Sequence, residues 1–381
     1  MHGILRAAAC ILLAVLTSGV RAQQTRSFPI QSATPIQNVK LPAPDPINAG
    51  TVTVITAPIG GPLSIMGSDM AAVLDDGDKL RVLPVIGKGS VQNLIDIIRL
   101  KNIDMGFVTT EALEFVKTEV HMPDVAKRVR YIAPLLFNDV HIVARQGIRT
   151  LADLNGKRIF AERSIGLPAA RIIFKRMGIE AEIDSQTDAD GGLQKLLNGE
   201  GDAWVASVSK NAPVIKNIRN EGGKFHLLEI PYQRPLQDIY LPSSFSSEDY
   251  PNLVPKGGRV DTVAATTALM VYNWPHASDR YRRVARFVDA LFEKLPQFKQ
   301  PPRHPKWREA VISGSVPGLE RFKAAQDWLD KSAVAMPPSP PPVRAEEFRR
   351  FVVERNGGRS LTAEDTARLY SDFLRWRDEQ R

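Results

Sequence analysis

Leu80-Arg-Val-Leu-Pro-Val-Ile-Gly-Lys-Gly-Ser-Val-Gln-Asn-Leu-Ile-Asp-Ile-Ile-Arg-Leu100 is the stretch from which the fold can be read. Leu80 to Val85 is a short run of branched apolar residues, the mark of a strand. Gly87 to Ser90 is a glycine-bearing turn. Val91 to Leu100 then sets Leu94, Ile95, Ile97 and Ile98 at the spacing of a helix with one buried face. Upstream the same unit occurs once more: Thr51 to Thr56 reads as a β-branched strand, Pro58 to Gly61 as a loop and Leu63 to Leu74 as a helix. Met105 to Val108 follows as a third strand. Strands alternating with helices predict a parallel sheet wrapped on both faces, with ligands beyond the carboxyl ends of its strands.

Further on, Tyr131 to Phe137 and Val140 to Ala144 are two extended apolar runs broken by Asn138-Asp139, which suits a crossing between two lobes. A second αβ series starts there. Helices are expected at Thr150 to Leu154, Leu167 to Met177, Gly191 to Leu197 and Lys210 to Asn220. Strands are expected at Arg158 to Ala161, Glu180 to Ile183, Ala203 to Ser207 and Phe225 to Ile230. Thr262 to Tyr272 reads as a long strand returning to the first lobe, where helices at Asp279 to Leu295 and Gly318 to Ala333 pack. Residues 50–136 and 262–335 thus form lobe 1 and residues 137–261 lobe 2. Residues 336–343, with Pro337, Pro338, Pro340, Pro341 and Pro342, form a stiff linker. Residues 344–381 carry two charged amphipathic helices, a docking hairpin or a partner-binding tail.

The first 22 residues read as an export signal, with Arg6 as the charged start, an apolar run from Ala7 to Leu16 and small residues ending at Ala22. Residues 23–49, rich in Pro, Gln, Ser and Thr, read as a mobile leader. The only cysteine, Cys10, lies inside the signal, so the processed chain has no thiol. Removing Arg6 and Arg21 takes the formal charge of +8 to +6, a small excess that fits anionic partners and not nucleic acid.

Val85 to Asn93 is the most informative chemistry. Free N–H groups at a helix N-terminus favour an anion, and glycine lets a ligand approach the main chain. Ser90 and Asn93 can add hydrogen bonds. A strand-to-helix turn with a serine cap accounts for the same residues. The phosphate-loop pattern is absent, because Lys88 precedes a glycine instead of a Ser or Thr. Arg163, before the helix at Leu167, offers a planar fork for a carboxylate, or pairs with Glu162 or water. Trp204 is either core or a stacking surface. The six histidines show no metal-ligand spacing, and no nucleophile elbow occurs. No cofactor is called for.

The Gly-Gly after the first strand, Gly87-Lys-Gly-Ser-Val-Gln-Asn-Leu94 and Asn102-Ile-Asp-Met-Gly-Phe-Val-Thr-Thr110 together resemble the TAXI family of solute receptors for TRAP transporters. Val140 to Arg145 with Ile148 to Ile159, and Asn198-Gly-Glu-Gly-Asp-Ala-Trp204, are similar to later segments of that family. The resemblance runs from about Gly50 to Phe298. It implies an α/β, two-lobed periplasmic binding protein of the type II class with a two-strand hinge, here with a C-terminal helical extension. It also implies a cleft lined by Gly60, Gly61, Gly89, Ser90, Asn93, Thr109 and Thr110 from the first lobe, and by Arg163, Ser164, Gly166, Trp204 and Ser207 from the second. Three departures stand out: Pro62-Leu-Ser64 in place of tyrosines, Glu162 to Pro168 in place of a Gly-Ser-Gly-Thr run, and the C-terminal helices.

The expected function is a periplasmic binding protein, not an enzyme, that closes on a small organic anion (a carboxylate or amino acid-like molecule) and delivers it to a TRAP-type membrane permease. A ligand-sensing subunit for a membrane signalling receptor is the alternative, and an enzyme on the same fold the third reading.

Overall fold

The computed structural model describes residues 50–77, 79–186 and 189–335. The export signal, the leader, the proline linker and the C-terminal helices lie outside the described residues.

The chain begins with alternating strands and helices: β1 (Thr51–Ile55), α1 (Pro62–Leu74), β2 (Arg81–Val85), α2 (Ser90–Arg99), β3 (Met105–Thr109), α3 (Thr110–Thr118) and the one-turn α4 (Val125–Arg128). β1 pairs in parallel with both β2 and β3. Apolar clusters cover both faces of this sheet. Val54, Met66, Phe107, Leu269, Phe287 and Trp307 fill one, and Ile55, Leu94, Ile97, Val108, Val116 and Met270 the other. Two covered faces explain why β3 is buried at every position and carries no polar alternation.

β4 (Val129–Arg145) is a single strand of 17 residues. The break expected at Asn138-Asp139 does not occur, because both polar side chains find partners on other strands. Asn138 Nδ2 donates to Thr267 Oγ1 (3.3 Å), and the Ser243 hydroxyl donates to Asp139. β5 (Arg158–Phe160), α5 (Leu167–Met177), β6 (Glu182–Asp184), α6 (Ala189–Leu197), β7 (Ala203–Val208), α7 (Pro213–Lys216), β8 (Phe225–Leu227) and β9 (Tyr240–Ser246) build the second lobe. Its sheet also has apolar clusters on both faces, one around Ile142, Ile159, Ile173 and Val205, the other around Phe160, Leu196, Trp204 and Phe245. α5 ends where Gly178 takes the left-handed conformation (φ 69°) and returns its N–H to the last turn.

β10 (Arg259–Tyr272) runs back antiparallel to β4 along Ala264 to Tyr272, while its first half pairs with β9. The described strands follow the order β2-β1-β3-β10-β4-β7-β5-β6, with β8 beside β4 and β9 beside β10. β4 and β10 are the two strands that belong to both lobes, so the architecture is the two-lobed α/β fold with a two-strand hinge. α8 (Asp279–Glu293), α9 (Leu295–Phe298) and α10 (Lys323–Ala335) pack on the first lobe. There Asp69 on α1 accepts from His304 N (2.8 Å) and Trp307 Nε1 (3.0 Å) and pairs with Arg303 (3.3 Å).

Several expectations are corrected. The helix expected over Lys210 to Asn220 is only α7, one turn, because Asn211 takes a positive φ (65°) just ahead of Pro213. The last described helix starts at Lys323, not Gly318, which has φ 71°. Thr150 caps a 3-10 turn over Leu151–Leu154 in place of an α-helix, through a box with Asp153. α3 and β9 were not foreseen.

Candidate functional site

A cavity of about 510 Å³ lies between the lobes, beyond the carboxyl ends of the parallel strands. Lobe 1 lines it with Ala57, Pro58, Ile59, Gly61, Pro62 and Leu63 at the start of α1, with Gly89, Ser90 and Asn93 at the start of α2, and with Thr109 and Glu111 where β3 passes into α3. Lobe 2 contributes Ser164, Ile165 and Pro168 at the start of α5, and the segment Ser207 to Pro213 that follows β7. Leu136 and Asn138 of the hinge strand lie between, and Lys306 closes one side.

The start of α2 meets the start of α5. Gly89, the N-cap of α2, has φ 109° and ψ 166°, a conformation open essentially to glycine alone. A Cβ placed on it would stand 2.9 Å from Ser164 Cβ and 3.3 Å from Ser164 Cα of the opposite lobe. The absence of a side chain at Gly89 thus lets the lobes touch, and the structure is the closed arrangement. No side chain caps α2, so the positive end of this 10-residue helix faces the interlobe space, whereas at α5 the Leu167 N–H already donates to Glu162 O (2.8 Å) and Pro168 has no N–H.

The polar residues divide by how far the fold already uses them. Asn93 is fully engaged in holding the turn: its Nδ2 donates to Thr56 O (2.9 Å) and Phe107 O (3.1 Å). Thr109 caps α3 by accepting from Ala112 N (3.2 Å). Ser164 Oγ donates to Glu162 Oε2 (2.6 Å), which also accepts from Ile165 N (3.0 Å). Ser207 ties its N–H to Ile165 O (2.5 Å) but leaves its buried hydroxyl without a partner.

Seven of the twelve expected residues therefore share one wall: Gly61, Gly89, Ser90, Asn93, Thr109, Ser164 and Ser207. The other five stand elsewhere. Gly60 has open space around it, at φ 93°. The Thr110 hydroxyl is spent between lobes, donating to Ile239 O (2.8 Å) and accepting from Thr266 N (3.3 Å). Arg163 reaches sideways to Gln186 Oε1 (3.1 Å). Gly166 packs so close under Val205 O that no Cβ fits, and Trp204 is buried in the core of the second lobe.

Six charged or polar residues on the wall escaped sequence reasoning: Glu111, Asn138, Ser209, Lys210, Asn211 and Lys306. Lys306 is matched by Glu309 (2.5 Å), whereas Lys210 forms no ion pair among the described residues. Near both lysines lies Asp139, whose carboxyl is pushed above its usual value by burial, against the opposing pull of the Ser243 hydroxyl and the two ammonium groups. Glu111 is the more unusual group. Burial raises its carboxyl from 4.5 to about 7, with the nearby Ser207 and Tyr240 hydroxyls acting in the other direction. Glu111 Oε2, Ser207 Oγ and Tyr240 Oη are all buried, and the two hydroxyls lie close enough to act on the carboxyl without forming well-aligned hydrogen bonds to it.

The rest of the wall is apolar, with Ile59, Leu63, Leu136, Ile165, Pro168 and Val208. The cavity can thus hold a small molecule with a short apolar body and a charged end at the start of α2. Among the described residues no group of His, Cys, Asp or Glu is placed to hold a metal ion. Among the same residues no helix is long and apolar enough to cross a membrane.

No protein-family model matches the chain, and no curated protein matches it. Among solved structures, the B. pertussis BvgS periplasmic domain is similar at 15% identity and a TM-score of 0.39, over 76% of this chain and 47% of that one. This chain thus spans about half the length of the BvgS domain. A TctC solute-binding protein from Polaromonas is similar at 15% identity and a TM-score of 0.40, over 65% of this chain and 88% of that one. Tv2483 bound to L-arginine is similar at 12% identity and a TM-score of 0.45, over 71% and 96%. Likeness at this level leaves the ligand to be read from the chain's own cleft.

Proposed function

We propose that this protein is an extracytoplasmic solute-binding protein that captures a small organic anion between its lobes and delivers it to a membrane permease, of the TRAP type that the motif resemblance implies. The observation that carries the reading is the meeting of the segments that open α2 and α5, at Gly89 and Ser164, beside the interlobe cavity. An anion lying there interacts with the positive end of α2 from one lobe and with groups of the other lobe at once, and only in the closed arrangement do both act on it. Binding then favours closure by the difference in affinity between the two states. Lys210 adds a cation on the lobe 2 side, and the Ser90 hydroxyl a hydrogen bond on the lobe 1 side. The closed form is what the permease reads, and the export signal expected at Met1 to Ala22 supports an exchange outside the cytoplasm.

Isothermal titration of the processed protein with a panel of small carboxylates tests this. At least one is expected to bind, more weakly in 0.5 M salt, and more weakly again after Ser90→Ala or Lys210→Ala. Binding that ignores salt and both substitutions would refute it.

A further inference from the structure

We infer that the floor of the cleft is a second subsite, in which Glu111 and Ser207, backed by Tyr240, take a hydrogen-bond-donor group of the ligand, an ammonium or a hydroxyl. The inference rests on the anion reading above and deepens it: the ligand is a small carboxylate that also bears an amino or hydroxyl group, not a plain carboxylic acid.

The argument starts from what the fold leaves unsatisfied. Glu111 sits in the first turn of α3 with 4% of its surface exposed, and it lines the cavity. Buried carboxyl groups in folded proteins almost always have partners, and each exception calls for a reason. Here the exception is threefold, because Glu111 Oε2, Ser207 Oγ and Tyr240 Oη are unpartnered together. Their near neighbours are one another, yet none of the three forms a well-aligned hydrogen bond. Thr109, not Glu111, caps α3, and the ion pairs of this region, Arg176 to Glu114 and to Asp238, bypass Glu111.

The three groups also come from both sides of the cleft. Glu111 belongs to lobe 1, while Ser207 on β7 and Tyr240 on β9 belong to lobe 2. A ligand group inserted among them bonds to both lobes only when they are closed, so it strengthens closure in the same way as the anion does at the opposite end.

The missing group is a donor. Ser207 and Tyr240 each bring one O–H, but Glu111 has no cationic partner among the described residues and a carboxylate offers up to four acceptor sites. An N–H or O–H from the ligand supplies what is lacking, and an ammonium supplies the counter-charge as well. An aliphatic end would leave the same atoms unpaired, and a second carboxylate would set two like charges together beside Glu111.

The test is a titration of the wild-type protein with sets of three acids sharing one skeleton: isovalerate, 2-hydroxyisovalerate and valine, then glutarate, 2-hydroxyglutarate and glutamate. In at least one set the donor-bearing acids are expected to bind tenfold or more tighter than the plain acid. The amino member's rank against the hydroxy member tells which donor is used. Glu111→Gln, checked for folding by circular dichroism, is expected to bring the preference within threefold, and Ser207→Ala to reduce it. Plain acids binding as tightly as their donor-bearing partners, or a preference that survives Glu111→Gln, would overturn the subsite while leaving the anion reading in place. No binding by any acid would instead remove the anion reading itself, and the subsite with it.

Discussion

Replacing Glu111 by Gln removes a charge that the empty cleft accommodates poorly, so the substitution is predicted to stabilise the unliganded protein, and to do so in a pH-dependent way. The folded carboxyl holds its proton up to about pH 7, the unfolded one to 4.5. Folding therefore favours the protonated form. That contribution to stability is complete below about pH 4.5 and is lost as pH rises through 7. At about 1.4 kcal/mol per pH unit, the gap between the two values is worth roughly 3 kcal/mol above pH 8. Near pH 5 the folded carboxyl is still protonated and the cost is under about 1 kcal/mol. Glutamine has the same shape and no charge. The stability difference between Glu111→Gln and wild type should consequently grow by roughly 2–3 kcal/mol between pH 5 and pH 8. Urea unfolding of both proteins without ligand, followed by tryptophan fluorescence at the two pH values, measures it, since other titrating groups cancel in the difference. A difference flat in pH, or one that shrinks toward pH 8, would show that the carboxylate is ionised and well partnered and would refute the reasoning. A gain in stability combined with a loss of ligand preference is the trade expected of a binding group.

Gly89→Ala is expected to weaken ligand binding tenfold or more, because the methyl group strikes Ser164 and the residue sits at φ 109°. Small-angle scattering should show the variant staying open at ligand concentrations that compact the wild type, and normal closure would count against the contact. Lys210→Ala should weaken anion binding several-fold and flatten its salt dependence, whereas Arg163→Ala should leave affinity within twofold because its guanidinium turns to Gln186; titration of both decides. Asp69→Ala should destabilise the protein by about 2–4 kcal/mol in urea, because it leaves the Trp307 and His304 N–H groups and Arg303 without their acceptor. Ligand affinity under native conditions should survive it, and unaltered stability would contradict the assignment.

The parallel units were legible because both faces of each sheet are covered: β1, β2, β3 and α2 announce themselves by apolar run or helical spacing, and α5 runs over Leu167–Met177 as its sequence predicts. The seven expected residues on the wall sit in the turns of such units or in the ends of the strands and helices beside them. What stayed hidden depends on distant parts of the chain. Asn138 and Asp139 look like a loop until Thr267 and Ser243 arrive from other strands. Lys210 to Asn220 has helical composition but follows the cleft wall instead. Glu111 reads as an ordinary acidic residue in a helix's first turn, where a carboxylate suits the local dipole. Only the folded lobes bury it, and the one available signal is an acid two residues beyond the end of a strand of low polarity.

The hinge bears on how the molecule comes to be made. β4 leaves the first sheet, and the chain completes β5, β6 and β7 beside its far half before β10 exists. The first sheet meanwhile lacks the partner that must lie between β3 and β4. As the polypeptide emerges from its N-terminal end, the central ladder of the second lobe can therefore assemble while the first waits with an open slot. β10, the last of the described strands, fills that slot between β3 and β4 and so joins the two halves.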